Sequence, residues 1–202
     1  MYEVEVKVPA DHAAVRERLA ELGAEPVDAV VQRDTYYDAP HREFAETDEA
    51  LRVREETSAA GDAETATAED DSEDTAGVTT TELTYKGPLV EAESKTRREV
   101  ETAVGDGEAT REVLDALGFD PAATVRKDRE RFALDGFTVT LDSVDGLGEF
   151  VEVETEVDAE ESVESAREAA FGILRDLGLD PDEQVRTSYL GLLLADEDAG
   201  GE

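Results

Sequence analysis

The chain has 202 residues and no cysteine, so its length suits one domain and it has neither a disulfide framework nor thiolate chemistry. Its 54 acidic residues far outnumber its 19 lysines and arginines, and the resulting net charge of −35 disfavours binding to nucleic acids or anionic membranes. No apolar run approaches the roughly 18 residues of a membrane span, and the N-terminus does not resemble a signal peptide, so we expect a cytoplasmic protein.

The acidic excess predicts a halophilic protein that depends on salt. Only four of the basic residues are lysines, and high ionic strength screens the self-repulsion of such a surface, with a Debye length of about 3 Å at 1 M against about 30 Å at 0.01 M. We expect the thermal unfolding midpoint to fall on dialysis into dilute buffer and to recover with KCl or a divalent cation. A midpoint that stays constant from millimolar to molar KCl would contradict this adaptation.

The hydrophobic periodicity divides the chain into strands and helices. In the first strand, apolar residues alternate with Glu3, Glu5 and Lys7, which places these charges on one face. The predicted strands are Met1–Val8, Val27–Asp38, Ala50–Glu56, Thr81–Lys86, Lys95–Val104, Thr124–Leu134, Gly136–Asp142 and Glu149–Val157. The predicted helices are His12–Leu22, Gly107–Leu117, Glu161–Leu177 and Asp182–Leu194.

Two segments lack the apolar residues that a core needs. Thr57–Thr80 has no aromatic or basic residue and no large aliphatic residue before Val78, which predicts a mobile acidic loop. The acidic segment Asp196–Glu202 predicts a disordered tail. We therefore expect a single domain over residues 1–195, with the loop inserted at 57–80 and the tail at 196–202.

Each predicted strand has one apolar and one charged face, and this repetition predicts the architecture. The amphipathic helices can cover the apolar faces, which leaves the charged faces on the other side. Eight antiparallel strands can close into a barrel wide enough for one small ligand. The sequence therefore predicts an α+β fold, an eight-stranded antiparallel β-barrel with flanking helices.

The charged residues that share a strand face favour a metal–triphosphate site in this barrel. Arginine and lysine match phosphate oxygens, while carboxylates hold the Mg2+ or Mn2+ that bridges to them. The basic set is Lys7, Arg52, Arg54, Lys86, Arg97, Lys127, Arg129 and Arg131, and the acidic set is Glu3, Glu5, Glu99, Glu101, Asp142, Glu152 and Glu154. The alternative is that these are solvated strand faces with cross-strand ion pairs.

Six motifs, in order along the chain, carry a resemblance to a known family. They are Glu3-Val4-Glu5-Val6-Lys7, Thr35-Tyr36-Tyr37-Asp38 with Ala50-Leu51-Arg52-Val53-Arg54, Leu83-Thr84-Tyr85-Lys86-Gly87-Pro88, Arg97 with Glu99 and Glu101, Lys127 with Arg129, and Asp142 with Glu152 and Glu154. Together they resemble the CYTH superfamily, also called triphosphate tunnel metalloenzymes. The last of these motifs, Asp142 with Glu152 and Glu154, and the C-terminal Ser188-Tyr189 are similar to the corresponding segments of the class IV adenylate cyclases in that family.

The resemblance implies roles for residues of this chain. Implied metal ligands are Glu3, Glu5, Asp142, Glu152 and Glu154; implied phosphate-binding residues are Arg52, Arg54, Lys86, Arg97, Lys127 and Arg129; and implied catalytic residues are Lys7, Arg129 and Asp142. The implied cofactor is Mg2+ or Mn2+, and the implied activity is conversion of ATP to cyclic AMP and pyrophosphate. Two alternatives stay open: hydrolysis of inorganic, thiamine or nucleoside triphosphate, and non-catalytic binding of such a ligand. Formation of a homodimer also stays open.

Overall fold

The computed structural model describes residues 2–58, 78–90 and 96–199. Its eight strands form a closed barrel in the order β1-β5-β4-β3-β2-β6-β7-β8, and all neighbouring strands are antiparallel. The predicted α+β fold with an eight-stranded antiparallel barrel is therefore confirmed. Within the described ranges, no helix is both long and apolar enough to cross a membrane.

The strands and helices lie close to the predicted ones. The strands are β1 Tyr2–Pro9, β2 Glu25–Asp38, β3 Ala50–Ser58, β4 Thr79–Leu89, β5 Arg97–Val104, β6 Asp120–Leu134, β7 Phe137–Val144 and β8 Gly148–Val157. The helices are α1 His12–Leu22, α2 Phe44–Thr47, α3 Gly107–Ala116, α4 Val163–Asp176 and α5 Tyr189–Ala199, with 3-10 turns at Glu160–Ser162 and Pro181–Glu183. The short helix α2 was not predicted.

The structure corrects both ends of the predicted loop. Thr57 pairs with Thr79 across β3 and β4, and their hydroxyl oxygens lie 2.8 Å apart. The loop bounds at 57 and 80 are therefore wrong by two residues at each end, because the β-branched threonines there extend the hairpin. The prediction of mobility for residues 59–77 lies outside the described residues.

The C-terminal helix also differs from its prediction. It begins at Tyr189 instead of Asp182, because Pro181–Glu183 forms a separate 3-10 turn and the Ser188 hydroxyl caps α5 by accepting a hydrogen bond from the Gly191 N–H at 3.0 Å. Residues 196–199 continue this helix, so the predicted disordered tail is wrong there. The leucines and the alanine at positions 192–195 are good helix formers, and the helix that they form continues through the four residues that follow. Residues 200–202 lie outside the described residues.

The main hydrophobic core lies outside the barrel, between its wall and two helices. Val15 and Leu19 of α1 and Leu174 of α4 pack on the apolar faces of β1, β7 and β8. Asp11 fixes the start of α1, because its carboxylate accepts hydrogen bonds from the Ala13 and Ala14 N–H groups. Since strand side chains alternate, covering the apolar faces on the outside directs the charged faces inward.

Candidate active site

The barrel encloses a cavity of about 880 Å³ lined mainly by charged side chains. Every residue with an implied metal-binding, phosphate-binding or catalytic role lines it except Asp142: Glu3, Glu5, Lys7, Arg52, Arg54, Lys86, Arg97, Lys127, Arg129, Glu152 and Glu154. Buried positions on the cavity side include Lys7, Arg52, Lys127 and Arg129. The charged faces are therefore gathered around one interior space.

Arginines and lysines from β3 and β6 form one side of the cavity, which we call the basic wall: Arg52, Arg54, Lys127 and Arg129. The strand β2 lies between β3 and β6 and contributes Asp34 to this side. Arg54 donates from Nε and Nη2 to the two carboxylate oxygens of Asp34 at 2.6 and 2.7 Å, and Arg52 Nη1 lies 3.7 Å from Asp34 Oδ2. Burial alone would raise the pKa of Asp34, but Arg54 and Arg52 hold it well below its usual range.

A second buried aspartate holds the other half of the basic wall. Arg129 donates from Nε and Nη2 to the two oxygens of Asp142 at 2.7 and 2.5 Å, and Lys127 Nζ lies 3.5 Å from Asp142 Oδ2. Arg129 Nη2 also donates to Glu152 Oε2 at 2.5 Å. Burial opposes ionisation of Asp142, but Arg129 and Lys127 lower its pKa well below the usual range. Asp142 thus orients basic residues from behind the cavity surface.

Tyr189, at the start of α5, joins this network from the far end of the chain. Its hydroxyl donates to Asp142 Oδ2 at 3.1 Å, and its ring centroid lies 3.8 Å from Lys7 Nζ and 5.2 Å from Lys127 Nζ. The ring also packs edge-on against Phe150, with centroids 5.2 Å apart. The sequence analysis used Ser188-Tyr189 as a family motif, but it predicted no role in the site for Tyr189.

Carboxylates from β1 and β8 form the opposite side, which we call the acidic wall: Glu3, Glu5 and Glu154. Glu5 lies directly across from Glu154 in the β1–β8 register. Burial, with Glu99 and Glu154 nearby, raises the pKa of Glu3 to about 8 even though Lys86 Nζ lies 3.9 Å away. Burial, with Glu152 and Glu5, also raises the pKa of Glu154. Facing carboxylates repel unless a proton or cation lies between them.

This donor set fits a hard divalent cation, because Mg2+ and Mn2+ prefer carboxylate oxygens. The fit rests on donor chemistry: in the described ranges, no three histidine, aspartate or glutamate side chains already converge on one point as a metal site. Glu152 differs from the acidic wall, because Arg129 Nη2 contacts it at 2.5 Å and Lys7 Nζ lies 4.0 Å away. Among the predicted metal ligands, Arg129 thus binds Asp142 and Glu152, whereas Glu3, Glu5 and Glu154 lie beside other carboxylates.

Two of the predicted phosphate-binding residues have a different setting. Lys86 pairs with Glu99 and lies near Glu3, beside the acidic wall. Arg97 donates from Nη1 to the carbonyl oxygen of Asp48 at 2.6 Å and from Nη2 to its carboxylate at 2.8 Å. Asp48 has a left-handed φ of 53° after α2, so Arg97 stabilises a turn at the cavity edge.

The cavity lining also includes aromatic and aliphatic side chains. They are Tyr36, Tyr37, Phe44, Leu51, Leu190 and Leu194. A flat apolar group such as a nucleobase can pack against side chains of this kind, while a bare polyphosphate gains nothing from them.

The raised pKa of Glu3 predicts how stability depends on pH when metal is absent. Between the ordinary glutamate pKa of about 4.5 and the folded value of about 8, the folded chain keeps a proton that the unfolded chain releases. Stability should therefore be complete below this window and fall as pH rises through it. We expect Glu3→Gln to flatten this slope and to raise the unfolding midpoint at pH 8, measured in EDTA and constant 2 M KCl.

The exposed residue Glu17 on α1 provides the control. Glu17→Gln removes the same charge far from the barrel interior and should leave the slope of the parent protein unchanged. Parallel pH curves for the parent protein and Glu3→Gln would show that Glu3 is ionised in the folded state throughout this window.

Comparisons with known proteins agree with this architecture. The model of the CYTH domain family matches residues 1–189. A Methanocaldococcus jannaschii protein, named as a candidate adenylate cyclase, is 34% identical over 193 residues, covering 95% of this chain and 98% of its own. A solved Pyrococcus horikoshii structure is 37% identical, with a TM-score of 0.83 over 96% of this chain and 99% of its own. The same fold occurs in a Hippeastrum candidate adenylyl cyclase described as having a dominant triphosphatase activity, at 18% identity and a TM-score of 0.59 over 96% of this chain and 95% of its own.

Proposed function

The chain belongs to the CYTH family, and on this premise we propose that it is a divalent-metal-dependent enzyme that acts on triphosphates and converts ATP to cyclic AMP and pyrophosphate. One observation carries the proposal: the basic wall and the acidic wall face a single cavity of about 880 Å³. The basic wall can bind the oxygens of a triphosphate, and the acidic wall can bind the metal ion that accompanies it.

The residues of the basic wall would bind and orient the triphosphate. Arg54 and Arg129 are each fixed by a buried aspartate through two hydrogen bonds, so their remaining N–H donors are preorganised for phosphate oxygens. Lys7 and Lys127 add point charges beside Tyr189. These groups stabilise the charge that develops on the phosphate oxygens when a P–O bond breaks.

Glu3, Glu5 and Glu154 would hold Mg2+ or Mn2+. When bound, the ion supplies charge neutralisation and polarisation of the phosphoryl group. In the proposed cyclisation, the ribose 3′-hydroxyl oxygen forms a bond to the α-phosphorus and its proton is released to solvent. The bond between the α-phosphorus and the oxygen that bridges to the β-phosphorus breaks, and pyrophosphate leaves with that oxygen. The apolar side chains of Phe44, Leu51 and Leu190 in the cavity support a nucleoside triphosphate as the substrate.

Product analysis tests this proposal. ATP and inorganic tripolyphosphate are each incubated with the protein and Mg2+ or Mn2+ in molar KCl, with EDTA as the metal-free control. We expect equal amounts of cyclic AMP and pyrophosphate from ATP. Release of orthophosphate from either substrate would instead support a triphosphatase, and tight binding without turnover would support a binding module. Absence of both binding and turnover would overturn the proposal.

A further inference from the structure

A buried carboxylate of β2 lies between the two strands that carry the basic wall. Asp34 is only 1% exposed. Its carboxylate binds the neighbouring arginines, which an apolar side chain could not do. Asp34 lies directly across from Arg54 in the β2–β3 register. It binds Arg54 through two hydrogen bonds and Arg52 at 3.7 Å, and it also interacts electrostatically with Lys127 on β6. One carboxylate thus contacts or attracts three basic residues of the site.

The geometry of this contact leaves part of the guanidinium group available. Asp34 takes the Nε–H and one Nη2–H of Arg54, and a guanidinium has five N–H donors in a fixed plane. Asp34 therefore leaves three donors of Arg54 unused, and Arg54 is part of the cavity lining. The plane of the guanidinium, and with it the direction of those donors, is set by the carboxylate.

We propose that Asp34 is a positioning residue that fixes Arg54, and with it Arg52, in the orientation that receives the triphosphate. This inference rests on the proposed function and extends it to a residue that does not itself contact the substrate. Asp142 has the equivalent relation to Arg129 on the other half of the basic wall, so each half of the wall would depend on its own buried aspartate.

Neutralising Asp34 separates positioning from simple electrostatics, because the two predict changes of opposite sign. Asp34→Asn removes one negative charge beside the site, so Coulomb's law alone predicts tighter binding of an anion. If Asp34 instead positions Arg54, binding should weaken by roughly tenfold or more, the loss of about one charge-assisted contact. Calorimetric titration of inorganic tripolyphosphate with Mg2+ in molar KCl measures the dissociation constant directly.

A double-mutant cycle tests whether Asp34 acts through Arg54. In the Arg54→Ala background, Asp34→Asn should weaken tripolyphosphate binding by much less than in the parent protein, because only the contact with Arg52 and the charge effect are left. Glu130→Gln is the matched control: it also removes a carboxylate from an arginine pair, with Arg16 at 2.5 Å on the exposed surface. We expect this control to bind tripolyphosphate with the affinity of the parent protein.

The outcomes distinguish this inference from the proposed function. If the parent protein binds neither tripolyphosphate nor ATP, the proposed function fails. If it binds them but a folded Asp34→Asn binds equally well or more tightly, the positioning role of Asp34 is wrong. Should Asp34→Asn fail to fold, Asp34→Glu carries the test, because it keeps the charge and displaces the carboxylate by one methylene. Weaker binding by Asp34→Glu supports positioning, and unchanged affinity overturns it.

Discussion

Replacing Arg129 by alanine is expected to abolish triphosphate turnover and to lower the free energy of unfolding by about 3–5 kcal/mol. Arg129 is buried and contacts both Asp142 and Glu152, so its removal takes a shared positive charge away from two buried carboxylates. The same change removes a donor that would bind phosphate. Denaturant unfolding in molar KCl and product analysis with ATP measure the two effects.

Arg16 on α1 provides the control for loss of an arginine–carboxylate pair. It binds Glu130 on the exposed surface of the barrel, where such pairs contribute about 0.2–1 kcal/mol. Arg16→Ala should therefore keep activity and nearly all of the stability. If Arg129→Ala is no more destabilising than Arg16→Ala, and retains activity, Arg129 is neither the centre of a buried network nor part of the phosphate site.

The second large effect concerns the two glutamates at alternate positions of β8. We expect Glu154→Gln to raise the metal concentration for half-maximal activity by at least about tenfold, or ~1.4 kcal/mol. Burial and the neighbouring carboxylates raise the pKa of Glu154, so this substitution also relieves repulsion and should preserve the fold. Tripolyphosphate binding without metal should not weaken, because one negative charge is lost from the cavity.

Glu152→Gln is the matched comparison, since it makes the same chemical change two residues away. Glu152 is contacted by Arg129 and Lys7, so its neutralisation should disturb these basic residues and weaken metal-free tripolyphosphate binding instead. Titrations of Mn2+ and of tripolyphosphate into each variant separate the two patterns. Equal effects of both substitutions on both titrations would refute the division between the acidic wall and the carboxylates that Arg129 binds.

The sequence alone determined the architecture and most of the cavity lining. Strict alternation in segments such as Met1–Val8 specifies which side chains share a face, and the amphipathic helices identify the face that is covered. The other face of each strand carries charged residues, so the barrel interior cannot be a second apolar core. Charged residues such as Glu5, Arg54 and Lys127 could therefore be assigned to one site before the fold was known. Their motifs also indicated the family.

Only the tertiary structure decided which charges neutralise one another. Asp34 was not predicted as a site residue, because its partner Arg54 is fixed by the β2–β3 register and not by local sequence. Asp142, Glu152 and Glu154 look equivalent in the sequence, yet Arg129 binds the first two, while Glu154 lies opposite Glu5. Tyr189 reaches Asp142 only because α5 returns to the barrel. Strand periodicity fixes the face of a residue, but barrel closure and register determine its neighbours, and these set its charge and role.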